Sequence, residues 1–170
     1  MVTPSTDSPI QVLILCTGNS ARSVLAEATL NHLAKGRFRA WSAGSRPAGR
    51  VNPAAIAQLE ASGIMTTGLR SKSWDEFARD DAPAFDLVIT VCDSAAGEVC
   101  PLFLGAPVRT HWGQPDPAAV EFPPEAVARA FREAHDLITR RLDRLLDLPL
   151  ASIPRAEWRT WLDPIGRVAT

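Results

Sequence analysis

Very little in this chain favours a role on nucleic acid or in a membrane. Its 18 Lys and Arg stand against 19 Asp and Glu, a net charge of −1, and no long basic run occurs. That balance argues against a nucleic-acid partner. No apolar stretch approaches the ~20 residues of a spanning helix, so no membrane segment is expected. The start, Met1 to Pro9, is polar and has no positive segment ahead of an apolar one. It reads as a flexible lead-in, not a signal peptide. Internal repeats and low-complexity tracts are missing. Cysteine is scarce too, with three in 170 residues. The expected compartment is the cytoplasm, where thiols stay reduced and so few cysteines more often serve chemistry than crosslinking. The length suits one domain over 1–170, with a core over 10–148 and a C-terminal extension over 149–170.

What is present concentrates in Cys16-Thr17-Gly18-Asn19-Ser20-Ala21-Arg22-Ser23. An apolar run, Val12 to Leu15, leads into the cysteine, and an apolar-periodic stretch (Val24, Leu25, Ala28, Leu30, Leu33) follows. The pattern predicts a buried strand, a tight loop and a helix. The amides of Thr17 to Ala21 and the helix's first unpaired N–H groups would then converge where the helix dipole is positive. Arg22 adds a planar fork of donors suited to a tetrahedral oxyanion. Cys16 is the candidate nucleophile, expected as a thiolate at neutral pH. Lowering its pKa from about 8.5 to about 6 takes roughly 3.4 kcal/mol.

Along the chain, strand and helix signals alternate. Strands are predicted over 38–43, 86–91 and 107–112. Helices are predicted over 53–62, starting near 73, over 123–148 and over 157–162. Asn52 is placed as an N-cap, Pro53 at the first helical position and Gly63 as the stop. The class is α/β, a three-layer sandwich with a parallel sheet flanked by helices. In such sheets ligands bind beyond the carboxyl ends of the strands. Cys16, Cys92 and the segment Trp112 to Asp116 all fall on that edge. Cys92 and Cys100 lie eight residues apart, about 12 Å on a straight helix. A disulfide needs Cα atoms about 4.4–6.8 Å apart, so 93–99 must loop back or unwind for them to bond. Gly97 and Pro101 suit a pliable segment. His32, His111 and His135 show no metal-ligand spacing, and the five tryptophans read as packing.

The segments CTGNSARS (16–23), WSAG (41–44), VNP (51–53), DLVITVCD (86–93), CP (100–101) and HWGQPDPA (111–118) closely resemble the arsenate reductases built on the low-molecular-weight tyrosine phosphatase fold. The resemblance implies a four-stranded parallel sheet in the order 2-1-3-4. It also implies the chemistry. Cys16 attacks arsenate while Arg22 and the loop amides hold the oxyanion, and Asp116 protonates the departing oxygen. Cys92 then attacks the sulfur of Cys16 and arsenite leaves. Cys100 attacks Cys92, and an external thiol (thioredoxin, or glutathione and glutaredoxin) reduces the resulting Cys92–Cys100 disulfide. Ser23 would hydrogen-bond the Cys16 sulfur. Phosphate and sulfate would compete with arsenate, and no cofactor is implied.

Several positions depart from that pattern. The best-known thioredoxin-coupled members have one residue fewer between the last two cysteines, and a fourth loop cysteine where Ala21 stands. They bind a potassium ion, and Asn19, Glu27 and Ser42 match part of that site. Ser71-Lys72-Ser73 lacks the expected carboxylate, so no metal is assigned. Two other readings stay open. A tyrosine phosphatase would use the same nucleophile, arginine and aspartate, but Pro117-Ala118-Ala119 offers no aromatic wall for a phenyl ring. A non-catalytic oxyanion or redox-sensing module would not need Asp116.

Overall fold

The structure, a computed structural model, describes residues 8–169. Most of the expected lead-in therefore lies outside the described residues. Strands and helices alternate as β1 (Ile10–Cys16), α1 (Arg22–Leu33), β2 (Phe38–Gly44), α2 (Pro53–Ala61), β3 (Leu87–Thr90), α3 (Asp93–Gly97), β4 (Val108–His111), α4 (Pro124–Asp147) and α5 (Trp158–Leu162). The sheet runs β2-β1-β3-β4 with every pair parallel. In its register Cys16 lies beside Gly44, Leu15 beside Thr90, and Thr90 beside His111. The carboxyl ends of all four strands therefore open onto one edge, where the site forms.

Burial of β1 on both faces explains its unbroken apolar run. Val12, Ile14 and Cys16 join a core with α1, α2, α4 and α5. Leu13 and Leu15 face the other way, into a second cluster with Trp74, Phe77, Phe85 and Phe103. Trp41, Phe77, Phe85 and Phe103 there form a chain of edge-on ring contacts at 5.9, 5.7 and 6.2 Å, the geometry aromatic quadrupoles favour. The layer over this face is thin. It consists of a 3-10 turn at Trp74–Phe77, capped by Ser73, and of loops.

The local signals on α2 hold. The Asn52 side chain accepts from the Ala54 amide at 2.9 Å, Pro53 is the first helical residue, and Gly63 takes φ +74° just past the end. Helix α1 is buried on nearly every side, from Ser23 to Leu30, because it is wedged between the sheet and α4. A helix so enclosed is apolar almost all round, and its three polar exceptions, Ser23, Glu27 and Thr29, need partners.

Residues beyond 149 complete the main core. Trp158, Leu162 and Ile165 are buried in the same cluster as β1 and α1, and the Trp112 indole donates to the Leu162 carbonyl at 3.0 Å. Trp161, in contrast, is half exposed.

Candidate active site

Cys16 ends β1 with its sulfur buried. The loop behind it is tied down through its carbonyls. The Thr17, Gly18 and Ser20 oxygens accept from the amides of Arg46, Ala48 and Asn52, each at 2.9 Å, and Ser71 Oγ also donates to Gly18 O at 3.1 Å. A planar trans peptide points its C=O and N–H in opposite directions. Outward carbonyls therefore turn the amides of Gly18, Asn19 and Ala21 inward. The Asn19 amide indeed donates to Cys16 Sγ at 3.1 Å. Close passage of the loop over β2 depends on Gly44, where a Cβ would meet the Thr17 oxygen at 2.4 Å.

Asn19 is the keystone of the loop. It is fully buried at φ +45°, a left-handed conformation that asparagine tolerates better than most residues. Its amide nitrogen donates to Ser23 Oγ at 2.8 Å and Ser42 Oγ at 2.9 Å, and its oxygen accepts from the Lys72 backbone at 2.9 Å. Ser23 Oγ is in turn 2.8 Å from Cys16 Sγ, the contact expected from sequence. No side chain caps the N-terminus of α1.

One expectation needs correction. Burial pushes the Cys16 thiol above its ordinary pKa, and it outweighs the lowering by the Ser23 hydroxyl and by the Asn19 and Ser23 amides; Cys92 nearby adds to the rise. Counting donors had left out the cost of desolvating a thiolate.

Arg22, the first residue of α1, donates through Nη1 to the Gln114 carbonyl at 2.9 Å and lies 3.6 Å from Asp116 Oδ2 through Nη2. The loop after β4 thus brings the expected acid to the arginine. The other Asp116 oxygen accepts from the Ala118 amide at 3.0 Å and caps the short turn Pro117–Ala119.

Cys92 caps α3 and is also buried, its sulfur 3.4 Å from the Ala95 amide and 3.5 Å from Thr17 Oγ1. Thr17 thus joins the neighbourhoods of Cys16 and Cys92. Cys100 is elsewhere. It packs against the second core cluster, across the sheet from Cys92, and accepts from Arg109 Nη1 at 2.6 Å. All three cysteines are free thiols.

Four residues were missed from sequence. Lys72 is buried, its ammonium 3.8 Å from the Glu27 carboxylate. Burial pushes Glu27 up and Lys72 down, each opposed by the other's charge. With an ammonium already there, the Asn19, Glu27 and Ser42 cluster does not fit a second cation. Arg141, on the apolar stripe of α4, donates to the carbonyls of Trp112, Gly113, Gly166 and Val168 and ties the Asp116 loop to the chain's end. His111 bridges Thr90 Oγ1 at 2.7 Å and Asp93 Oδ1 at 2.8 Å, anchoring the start of α3. Arg109 holds Cys100. The one available signal was Arg141's spacing, three residues after Ile138 on the buried face.

Comparison with known proteins agrees with this geometry. Residues 11–156 match the low molecular weight phosphotyrosine protein phosphatase family. An arsenate reductase of Halalkalibacterium halodurans is 36% identical over 131 residues, which is 77% of this chain and 91% of the relative. A solved arsenate reductase in the phosphate binding state superposes with a TM-score of 0.62 at 28% identity, over 81% of this chain and 96% of that one. The thioredoxin-dependent arsenate reductase of Corynebacterium glutamicum gives a TM-score of 0.59 at 28% identity, over 84% of this chain and 64% of its own. The chain belongs to the low molecular weight phosphotyrosine protein phosphatase family. Within that family the chain is similar in sequence to arsenate reductases, and solved tyrosine phosphatases share its fold, one from T. tengcongensis with a TM-score of 0.59 at 21% identity.

Proposed function

We propose that this protein is an arsenate reductase that works through a three-cysteine relay. The observation carrying this reading is a second buried thiol, Cys92, placed across Thr17 from the nucleophile. A phosphatase needs only Cys16, Arg22 and Asp116, and has no use for it.

Arsenate enters the loop with Arg22 and the inward amides on its oxygens. The Cys16 proton passes to the incoming oxyanion, and the sulfur bonds to arsenic. Asp116 donates the proton that lets an oxygen depart as water. Cys92 thiolate then attacks Cys16 Sγ. The S–As electron pair stays on arsenic, which leaves as arsenite, and a Cys16–Cys92 disulfide forms. Cys100 thiolate attacks Cys92 Sγ and releases Cys16 as thiolate, a thiol–disulfide exchange. For that step Cys100 must leave Arg109 and cross to the edge carrying Cys92. The short α3 and the extended segment from Glu98 are the chain that rearranges. An external thiol reductant, the thioredoxin dithiol or two glutathione thiols acting with glutaredoxin, reduces the Cys92–Cys100 disulfide and is itself oxidised to a disulfide. Such a cycle belongs in a reducing compartment, the cytoplasm.

Arsenite formation by purified protein, with thioredoxin compared against glutathione, tests the reading. Cys92→Ser and Cys100→Ser should each abolish multiple turnover and leave hydrolysis of a small aryl phosphate largely intact. Full multiple turnover in Cys92→Ser would exclude the relay.

A further inference from the structure

We propose that the Lys72 ammonium is a built-in cation that holds the nucleophile loop in shape, in the place the family resemblance reserves for a potassium ion. Lys72 is 7% exposed and Glu27 8%. The ammonium lies 3.8 Å from Glu27 Oε1 and donates to the Arg70 carbonyl at 3.2 Å. Arg70 itself is turned outward onto Glu76 at 2.9 Å, so Lys72 is the cation facing Glu27 at close range.

From this pair a closed circuit of contacts runs to the nucleophile. Ser42 lies by the Glu27 carboxylate, and its hydroxyl and amide favour the charged form. Ser42 Oγ accepts from Asn19, whose oxygen accepts from the Lys72 amide. The Lys72 carbonyl accepts from the Gly44 amide at 2.9 Å, beside the glycine over which the loop passes. Asn19 completes the circuit onto Cys16 and Ser23. A buried carboxylate needs a compensating charge and filled lone pairs. A hydrated monovalent ion would supply both from solvent. Here the chain supplies them covalently, and the ammonium takes the Glu27 and Arg70 oxygens that such an ion would need. Lys72 is therefore a positioning residue, acting on Cys16 through Asn19. Its role is the same whichever oxyanion the loop receives.

Melting temperature and the rate of Cys16 alkylation, read by peptide mass mapping, are measured in potassium, ammonium and choline chloride at equal ionic strength. Neither readout involves arsenate turnover, so they separate this proposal from the proposed activity. The parent should give the same values in all three salts. Lys72→Ala, which leaves a space beside Glu27, should melt about 10 °C lower in choline and recover most of that loss, with the parent alkylation rate, in potassium or ammonium. Lys72→Met, which fills the space without charge, should not recover. A parent stabilised by potassium over choline would overturn the proposal, as would a Lys72→Ala loss that no cation repairs. If Lys72→Ala does not fold in any salt, the parent's own salt series still decides.

Discussion

At the scale of single residues, the active sulfur is set by opposing local effects. Desolvation favours the thiol of Cys16, while Ser23 and Asn19 favour the thiolate. Ser23→Ala removes the largest opposing contribution and must move the pKa further up. Alkylation by iodoacetamide at pH 7 should slow about tenfold, with the midpoint of its pH profile displaced upward. An unchanged or lowered midpoint would contradict the hydrogen bond's role. Gly44→Ala acts by shape instead. Its Cβ cannot share space with the Thr17 oxygen, so the loop must shift, and oxyanion binding measured by phosphate competition should weaken at least tenfold. Parent-like phosphate binding would show that the loop passes Gly44 with room to spare. Cys16, Arg22 and Ser23 were legible from sequence because a strand-to-helix loop fixes its geometry within a few residues. Lys72 was legible only as a carboxylate missing from the resemblance's cation site, since a lysine in a loop does not show that its own ammonium will be buried against Glu27. The burial that raises the sulfur's pKa was not legible either, because donors can be counted from sequence and burial cannot.

Among the elements, the helices share buried polar groups. His135 on α4 is buried between Thr29 on α1 and Gln58 on α2, at 2.9 and 3.1 Å. The Gln58 amide donates to Nδ1, so the neutral ring donates to Thr29 through Nε2. Burial lowers its pKa, with Asp136 opposing. The unfolded chain therefore takes up a proton that the fold refuses. Stability should fall as pH drops below about 6.5, the ordinary imidazole value, and keep falling down to the lowered folded value. Urea midpoints across that window should show a smaller slope in His135→Gln than in the parent; equal slopes would remove His135 from the acid response. The alternation of strand and helix, and the ends of α2, followed from period and caps. The partner of Cys100 did not, because Cys100 lies in a loop and Arg109 reaches it from β4.

For the molecule as a whole, the segment beyond 149 belongs to the core that carries the site. Trp158 is 2% exposed and Leu162 fully buried, and Arg141 links this end to the Asp116 loop through Trp112 and Gly113. Trp158→Ala should cost about 3–5 kcal/mol in chemical denaturation; a loss under about 1 kcal/mol would mean the segment merely covers a finished core. Sheet order followed from the motifs, whose matches span β1 to the loop after β4. The role of the C-terminal segment did not, since a lone Trp-x-x-Trp-Leu serves a core or an interface equally well. The most direct measurement of the relay takes Cys100→Ser protein, adds arsenate without external reductant, and maps its disulfides by mass spectrometry while counting arsenite. The expected result is about one arsenite per chain, matched by a Cys16–Cys92 disulfide. Arsenite released while both sulfurs remain free, or formed equally well by Cys92→Ser, would contradict it.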